Sequence, residues 1–189
     1  MKYQNSAYGS QGYLGSRRKN RAVPYVIAAA AVLAAAFLTA YAFFSSTTMP
    51  ESSMEPTILK DESVLIDRTV KLINHIKRGD VIVYRQSGDD SAWHIKRVIG
   101  LPGETVEIKN GQIKINGTTY MESIELPRIV SGGLAEDGIT LGAGEYFVLG
   151  DNRNNSQDSR HPDVGNVTSD MIIGKAWLAS SGGSNRRFL

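Results

Sequence analysis

A mostly β fold preceded by one N-terminal transmembrane helix is predicted by three features of the sequence. Val23 to Phe44 contains no charged residue. Beyond it, short runs rich in β-branched and aromatic residues alternate with turn residues. No helical periodicity of comparable length recurs after residue 44.

The elements follow in chain order. Residues 1–16 are rich in Gly, Ser, Tyr, Asn and Gln without hydrophobic periodicity, which predicts a disordered tail. Arg17, Arg18, Lys19 and Arg21 then form a basic cluster, and no acidic residue occurs before Glu51. The uncharged run from Val23 to Phe44 spans roughly 33 Å as a helix, enough to cross a bilayer. Pro24 stands at its start, where a helix tolerates proline. The positive-inside rule places the basic end in the cytoplasm. The expected organisation is therefore a cytoplasmic tail (1–22), a single membrane span (23–44) and an extracytoplasmic domain (45–189). The rival reading is a cleaved signal peptide, since Ala40-Tyr41-Ala42 fits a small-x-small cleavage signal. Against it, the apolar run exceeds the usual ~7–15 residues.

In the downstream part, 63–67 (SVLID), 80–84 (DVIVY), 93–99, 145–149 and 171–178 read as strands. Val106 and Ile108 alternate with polar residues, as do Ile113 and Ile115, with Asn110-Gly111 between them. That pattern is the strongest short hairpin signal. Asn116-Gly117 marks a second turn.

Composition excludes several chemistries. The 189 residues accommodate one ordinary domain plus accessory segments. The absence of cysteine rules out disulfides, thiolate metal sites and a cysteine nucleophile. His75, His94 and His161 lack metal-ligand spacing, so no metal or cofactor is expected. The net charge of +2 conceals a basic tail and an acidic remainder, whereas a nucleic-acid binder carries its excess base on the folded domain.

Three segments carry candidate chemistry: Pro50–Thr57 (PESSMEPT), His94–Gly103 (HIKRVIGLPG) and Gly150–Arg160 (GDNRNNSQDSR). A serine hydroxyl needs a base to become a nucleophile, and a neutral lysine can serve. Lysine ordinarily titrates near 10.4, and a value of roughly 7–8 suits that work. Lys96 lies among Trp93, Ile95, Val98 and Ile99, and desolvation there penalises the charged form. Taken singly, a serine is ordinarily a turn or cap residue and a strand lysine points to solvent. Spacing alone does not pair Ser53 with Lys96.

Together, in this order and directly after a membrane span, the segments resemble the boxes of bacterial type I signal peptidases. The resemblance covers about residues 49–175 and rests on long strings: SMEPT, KRVIGLPG and GDNRNNSQDSR. It implies a signal-peptidase-type β-sheet protease fold with a Ser/Lys dyad, in which Ser53 matches the nucleophile and Lys96 the general base. Ser156 matches the serine that hydrogen-bonds and orients the lysine. Asp158 with Arg160, and Asp151 with Arg97, match structural ion pairs; the plainer reading of Asp158–Arg160 is a surface pair worth under ~1 kcal/mol. One position departs from the pattern. Two residues before the nucleophile the best-known members carry a small residue, often a serine that donates to the oxyanion. Here it is Glu51. An ionised carboxylate cannot donate, which leaves the Ser53 backbone N–H as the expected oxyanion contact, with Glu51 turned to solvent.

Ser53 follows Phe44 by nine residues, so a catalytic serine there is tethered close to the membrane. The implied substrates are exported preproteins with signal peptides, cut after small residues. Two other classes share some of these features: a related Ser/Lys protease of the self-cleaving repressor or pilin-maturase type, and an inactive membrane-anchored scaffold. The former repressor type needs a DNA-binding domain that a tail and an anchor do not provide. The latter has no reason to keep Ser53, Lys96 and Ser156 together.

Overall fold

The structure, a computed structural model, describes residues 22–70, 76–86, 93–182 and 185–189. The predicted disordered tail, the basic cluster and His75 lie outside the described residues. The chain divides into two compact units, Met1–Thr39 and Ala40–Leu189.

Helix α1 (Val23–Phe43) accounts for the described part of the first unit and runs into the second. It is apolar all round, and its large side chains, among them Tyr25, Ile27, Leu33 and Phe37, are exposed. A helix that is hydrophobic on every side requires burial in protein or lipid. Over Val23–Tyr41 it is long and apolar enough to cross a membrane. The Thr39 hydroxyl donates to the Ala35 carbonyl at 2.8 Å and so needs no outside partner. The helix ends one residue earlier than predicted, because Phe44 opens a strand. Ala40-Tyr41-Ala42 is helical rather than extended.

The second unit is built of β1 (Phe44–Thr48), β2 (Ser63–Asp67), β3 (Val81–Arg85), β4 (Trp93–Gly100), β5 (Thr105–Lys109), β6 (Gln112–Ile115), β7 (Thr118–Thr119), β8 (Ile139–Thr140), β9 (Glu145–Leu149), β10 (Val167–Thr168), β11 (Ile172–Ser181) and β12 (Asn185–Phe188). The larger sheet runs β1-β2-β11-β3-β4-β9-β10, with β12 also on β11; the smaller runs β7-β6-β5-β8. Neighbours pair antiparallel throughout. This is the mostly β architecture expected from the sequence. The predicted hairpin forms, with Asn110 and Gly111 both at positive φ (52° and 74°) as a tight β-turn requires.

Central strand β3 explains why its sequence is a continuous apolar run instead of an alternation. Val81 and Val83 pack with Met49, Met54, Ile58, Ile66 and Ile95 on one face. Ile82 and Tyr84 pack with Val98, Tyr146, Val148 and Ile172 on the other. A strand covered on both faces reads as a near-continuous apolar run, here Val81–Tyr84. A third cluster, including Ile99, Val106, Ile108, Phe147 and Leu149, joins the small sheet to the large one.

Candidate active site

The nucleophile candidate sits on a turn fastened at its base. Beyond β1, the Met49 N–H donates to the Glu62 carbonyl (2.8 Å) and the Asp61 N–H to the Met49 carbonyl (2.9 Å). Between these ties the Ile58 N–H reaches the Met54 carbonyl at 2.9 Å, while the Met54 and Ile58 side chains sink into the core. Burying these side chains stabilises the turn by roughly 1.5–3 kcal/mol each. Ser53, between Ser52 and Met54, is thereby buried at a fixed position.

Lys96 comes from the middle of β4. Cross-strand register places it opposite Ile82, with His94 opposite Tyr84, so the lysine rises beside the apolar Ile82 and Val98 with His94 on the same face. It is 0% exposed. Its Nζ donates to Ser53 Oγ at 2.7 Å and to Glu51 Oε1 at 2.5 Å. Ser53 Oγ in turn donates to the same Glu51 oxygen at 2.9 Å. Burial pushes the Glu51 carboxyl up, but the Lys96 charge, hydrogen bonds from Lys96 and Ser53, and the His94 charge outweigh it and hold the group below its usual 4.5. Tyr84 goes the other way: burial, then the charges of Asp158 and Glu51, push its phenol up.

The third segment clamps the turn that carries Ser53. The Asn152 N–H donates to the Ser53 carbonyl (2.9 Å) and its side-chain amide to the Ser52 carbonyl (3.2 Å). The Asn155 amide reaches Ser52 Oγ at 3.3 Å. Gly150 makes this approach feasible: a Cβ there would lie 2.2 Å from Ser156 Oγ and 2.5 Å from the Ser53 carbonyl oxygen. Buried ion pairs set the loop. Asp158 binds Arg160 through Nε and Nη2, both at 2.8 Å, and accepts the Gly150 N–H at 3.0 Å. Asp151 binds Arg97 at 2.8 and 2.7 Å, and Arg97 also donates to the Gly79 carbonyl. Arg153 pairs with Glu122, which ties the loop to the segment after β7.

Ser53 and Lys96, 43 residues apart, are thus in hydrogen-bond contact. Ser156 differs from expectation: its hydroxyl is buried but makes no hydrogen bond, and the acceptors on Lys96 Nζ are Glu51 and Ser53 instead. A carboxylate is the stronger acceptor for an ammonium group. Ser156 is nevertheless close, packed on Gly150, the residue after Leu149, which pairs with Arg97 beside Lys96. Asp158 is fully buried, so its bond to Arg160 is no surface pair. Glu51 is not simply turned to solvent, although 39% of its side chain is exposed. Its contacts were hidden from sequence reasoning, as was the Asn152 clamp. The only signal for Glu51 was that it departed from the expected residue. Among the described residues no group of His, Asp and Glu side chains could hold a metal ion.

Comparison with known proteins supplies the context. The family described as signal peptidase, peptidase S26 matches residues 22–180. Signal peptidase I S of Bacillus subtilis (strain 168) is 42% identical over 114 residues, 56% of this chain and 60% of that protein. A signal peptidase I of Bacillus amyloliquefaciens is 38% identical over 117 residues, 57% of this chain and 58% of that protein. The match therefore spans about 60% of the length of these relatives. A crystal structure of a signal peptidase I from Enterococcus faecalis V583 superposes with a TM-score of 0.44 and 32% identity, covering 53% of this chain and 96% of that one.

Proposed function

Since the chain belongs to the signal peptidase family, peptidase S26, we propose that it is a membrane-bound endopeptidase that removes N-terminal signal peptides from exported preproteins, with Ser53 as nucleophile and Lys96 as general base. The observation that carries this reading is the 2.7 Å contact between Ser53 Oγ and the fully buried Lys96 Nζ.

The chemistry divides into two acyl transfers. Ser53 Oγ attacks the scissile carbonyl carbon while its proton passes to the uncharged Lys96 amine. The tetrahedral oxyanion is stabilised by backbone N–H donation, for which the Ser53 N–H is the candidate. Collapse breaks the C–N bond, and the Lys96 ammonium returns the proton to the departing amine, which is the new N-terminus of the mature protein. Water then attacks the Ser53 ester as Lys96 takes its proton; collapse breaks the ester C–O bond, Lys96 returns the proton to Ser53 Oγ, and the signal peptide leaves with a free carboxylate. Burial suits Lys96 to this role because it keeps competing water away from the amine. Ser156 orients the amine, its unpartnered hydroxyl serving as an acceptor for Lys96 once Glu51 withdraws. Asp158, by fixing Arg160 and the Gly150 N–H, holds the loop on which Ser156 stands.

The apolar α1 serves as anchor, with residues 1–22 in the cytoplasm and 45–189 outside the cell membrane, where signal peptides emerge. The partners are preproteins and membrane lipid, not nucleic acid. Cleavage of a preprotein by detergent-solubilised wild type, Ser53→Ala and Lys96→Ala tests the reading. Each variant loses processing while its circular dichroism stays that of wild type; processing retained by Ser53→Ala overturns it.

A further inference from the structure

Ser53 Oγ, Lys96 Nζ and Glu51 Oε1 lie in mutual hydrogen-bond contact, and while the lysine is an ammonium the polarity of that contact is the reverse of what proton abstraction by Lys96 needs. Ser53 Oγ accepts from Lys96 Nζ and donates its own proton to Glu51 Oε1. With Lys96 Nζ also 2.5 Å from that oxygen, the three groups form a closed ring, the arrangement that an ammonium and a carboxylate favour. In this ring no lone pair on Nζ is available to the Ser53 proton.

We propose that Glu51 is a carboxylate brake on the dyad: it holds Lys96 in its charged form and turns the Ser53 hydroxyl away, so that catalysis requires Glu51 to leave the ring. The inference rests on the proposed Ser53/Lys96 chemistry. Two features of the site favour a brake over a catalytic base. Glu51 is held below the ordinary carboxylate range, which makes it a weak proton acceptor. With 39% of its side chain exposed on a turn, Glu51 can carry its own charge out into water, and its departure strands the fully buried Lys96 ammonium without a counter-charge, which favours release of the lysine's proton. A substrate main chain crossing the rim of the site is the natural agent of displacement. Negative charge this close also opposes a forming oxyanion, so departure of Glu51 removes two obstacles together.

The other titratable groups facing the ring cannot supply its counter-charge. His94 stands beside Lys96 on β4 and acts on Glu51 as a like-signed companion of the lysine. Tyr84, across on β3, has its phenol pushed up by burial and stays neutral. Asp158, from the 150–160 loop, is matched by Arg160 in a two-point pair, and Asp151 by Arg97. Glu51 is therefore the carboxylate that governs the lysine's charge.

The test is the pH dependence of kcat/KM for a preprotein substrate in detergent, with the full chain as wild type, Glu51→Gln and Glu51→Ser. Glutamine keeps the size and an acceptor oxygen but removes the charge. Both variants are expected to cleave faster than wild type at neutral pH, with the rising limb displaced to lower pH by about one unit, equivalent to about tenfold in rate on that limb. In parallel, the 13Cε signal of Lys96 in inactive Ser53→Ala and in Ser53→Ala with Glu51→Gln reports the amine's charge without turnover. Its transition comes at lower pH in the doubly substituted protein. An unmoved transition, or variants that lose activity at every pH while remaining folded, overturns the brake and makes Glu51 a required base or positioner. Failure of the underlying reading looks different: processing then survives in Ser53→Ala, whatever the Glu51 variants do.

Discussion

Deleting the Asp158 carboxylate tests whether the loop packed against the Ser53 turn is held by charge. Asp158 is 0% exposed and accepts four hydrogen bonds: from the Gly150 N–H at 3.0 Å, the Arg160 N–H at 3.3 Å, and Arg160 Nε and Nη2 at 2.8 Å each. In Asp158→Ala, the Arg160 guanidinium, 6% exposed, keeps only the Arg153 and Ser131 carbonyls as acceptors and loses its counter-charge. Breaking a buried pair by removing one partner costs about 3–5 kcal/mol. For a domain of this size that lowers Tm by roughly 6–20 °C. The assay is thermal unfolding of the detergent-solubilised chain, followed by near-ultraviolet circular dichroism. Adding Arg160→Met to Asp158→Ala removes the stranded charge, so the doubly substituted protein recovers part of the loss. A Tm for Asp158→Ala within about 2 °C of wild type, the range of an ordinary surface substitution, refutes the reasoning. So does a double variant that is less stable than Asp158→Ala alone.

Three further outcomes are expected. Ser156→Ala leaves Tm unchanged or slightly raised, since a buried hydroxyl without a partner contributes nothing when removed; it lowers kcat more than it raises KM, and a kinetic profile equal to wild type at every pH removes Ser156 from the mechanism. Burial pushes the Glu62 carboxyl up, but bonds from Arg187 and the Leu59 N–H hold it below its usual 4.5. A carboxyl lowered in the folded state adds stability above its unfolded value, and that stability is lost as pH falls through the folded value. Urea midpoints measured from neutral to acid pH therefore fall less steeply for Glu62→Gln than for wild type. Finally, protease added outside intact cells digests residues 45–189 and spares the N-terminal tail; protection of the catalytic part reverses the proposed orientation.

Much of the fold was legible because its signals are local. A run of apolar residues without charge determines a membrane-compatible helix wherever it lies, and Asn110-Gly111 determines a turn through its own φ angles. The strands Ser63–Asp67 and Glu145–Leu149 begin and end where composition alone places them. Other strands escaped. β1 (FSSTT) has the polar composition of a linker and pairs only because β2 offers it an edge. β12 (NRRF) is charged, and exists through its ladder to β11 and the Arg187–Glu62 pair.

The site divides along the same line. By itself the sequence determined which chemistry-bearing residues are present, and a resemblance across three boxes selected Ser53, Lys96, Ser156 and Asp158 from among them. Only the tertiary structure decided which groups touch. The bond between Ser53 and Lys96 spans 43 residues and depends on β3–β4 register together with a turn anchored by Met54 and Ile58. Glu51 is near Ser53 in sequence, yet its bond to Lys96 crosses 45 residues and follows from the side chain's choice between water and a buried ammonium group. That choice is electrostatic, set by three-dimensional distance and local dielectric, and neither quantity is written in the order of residues.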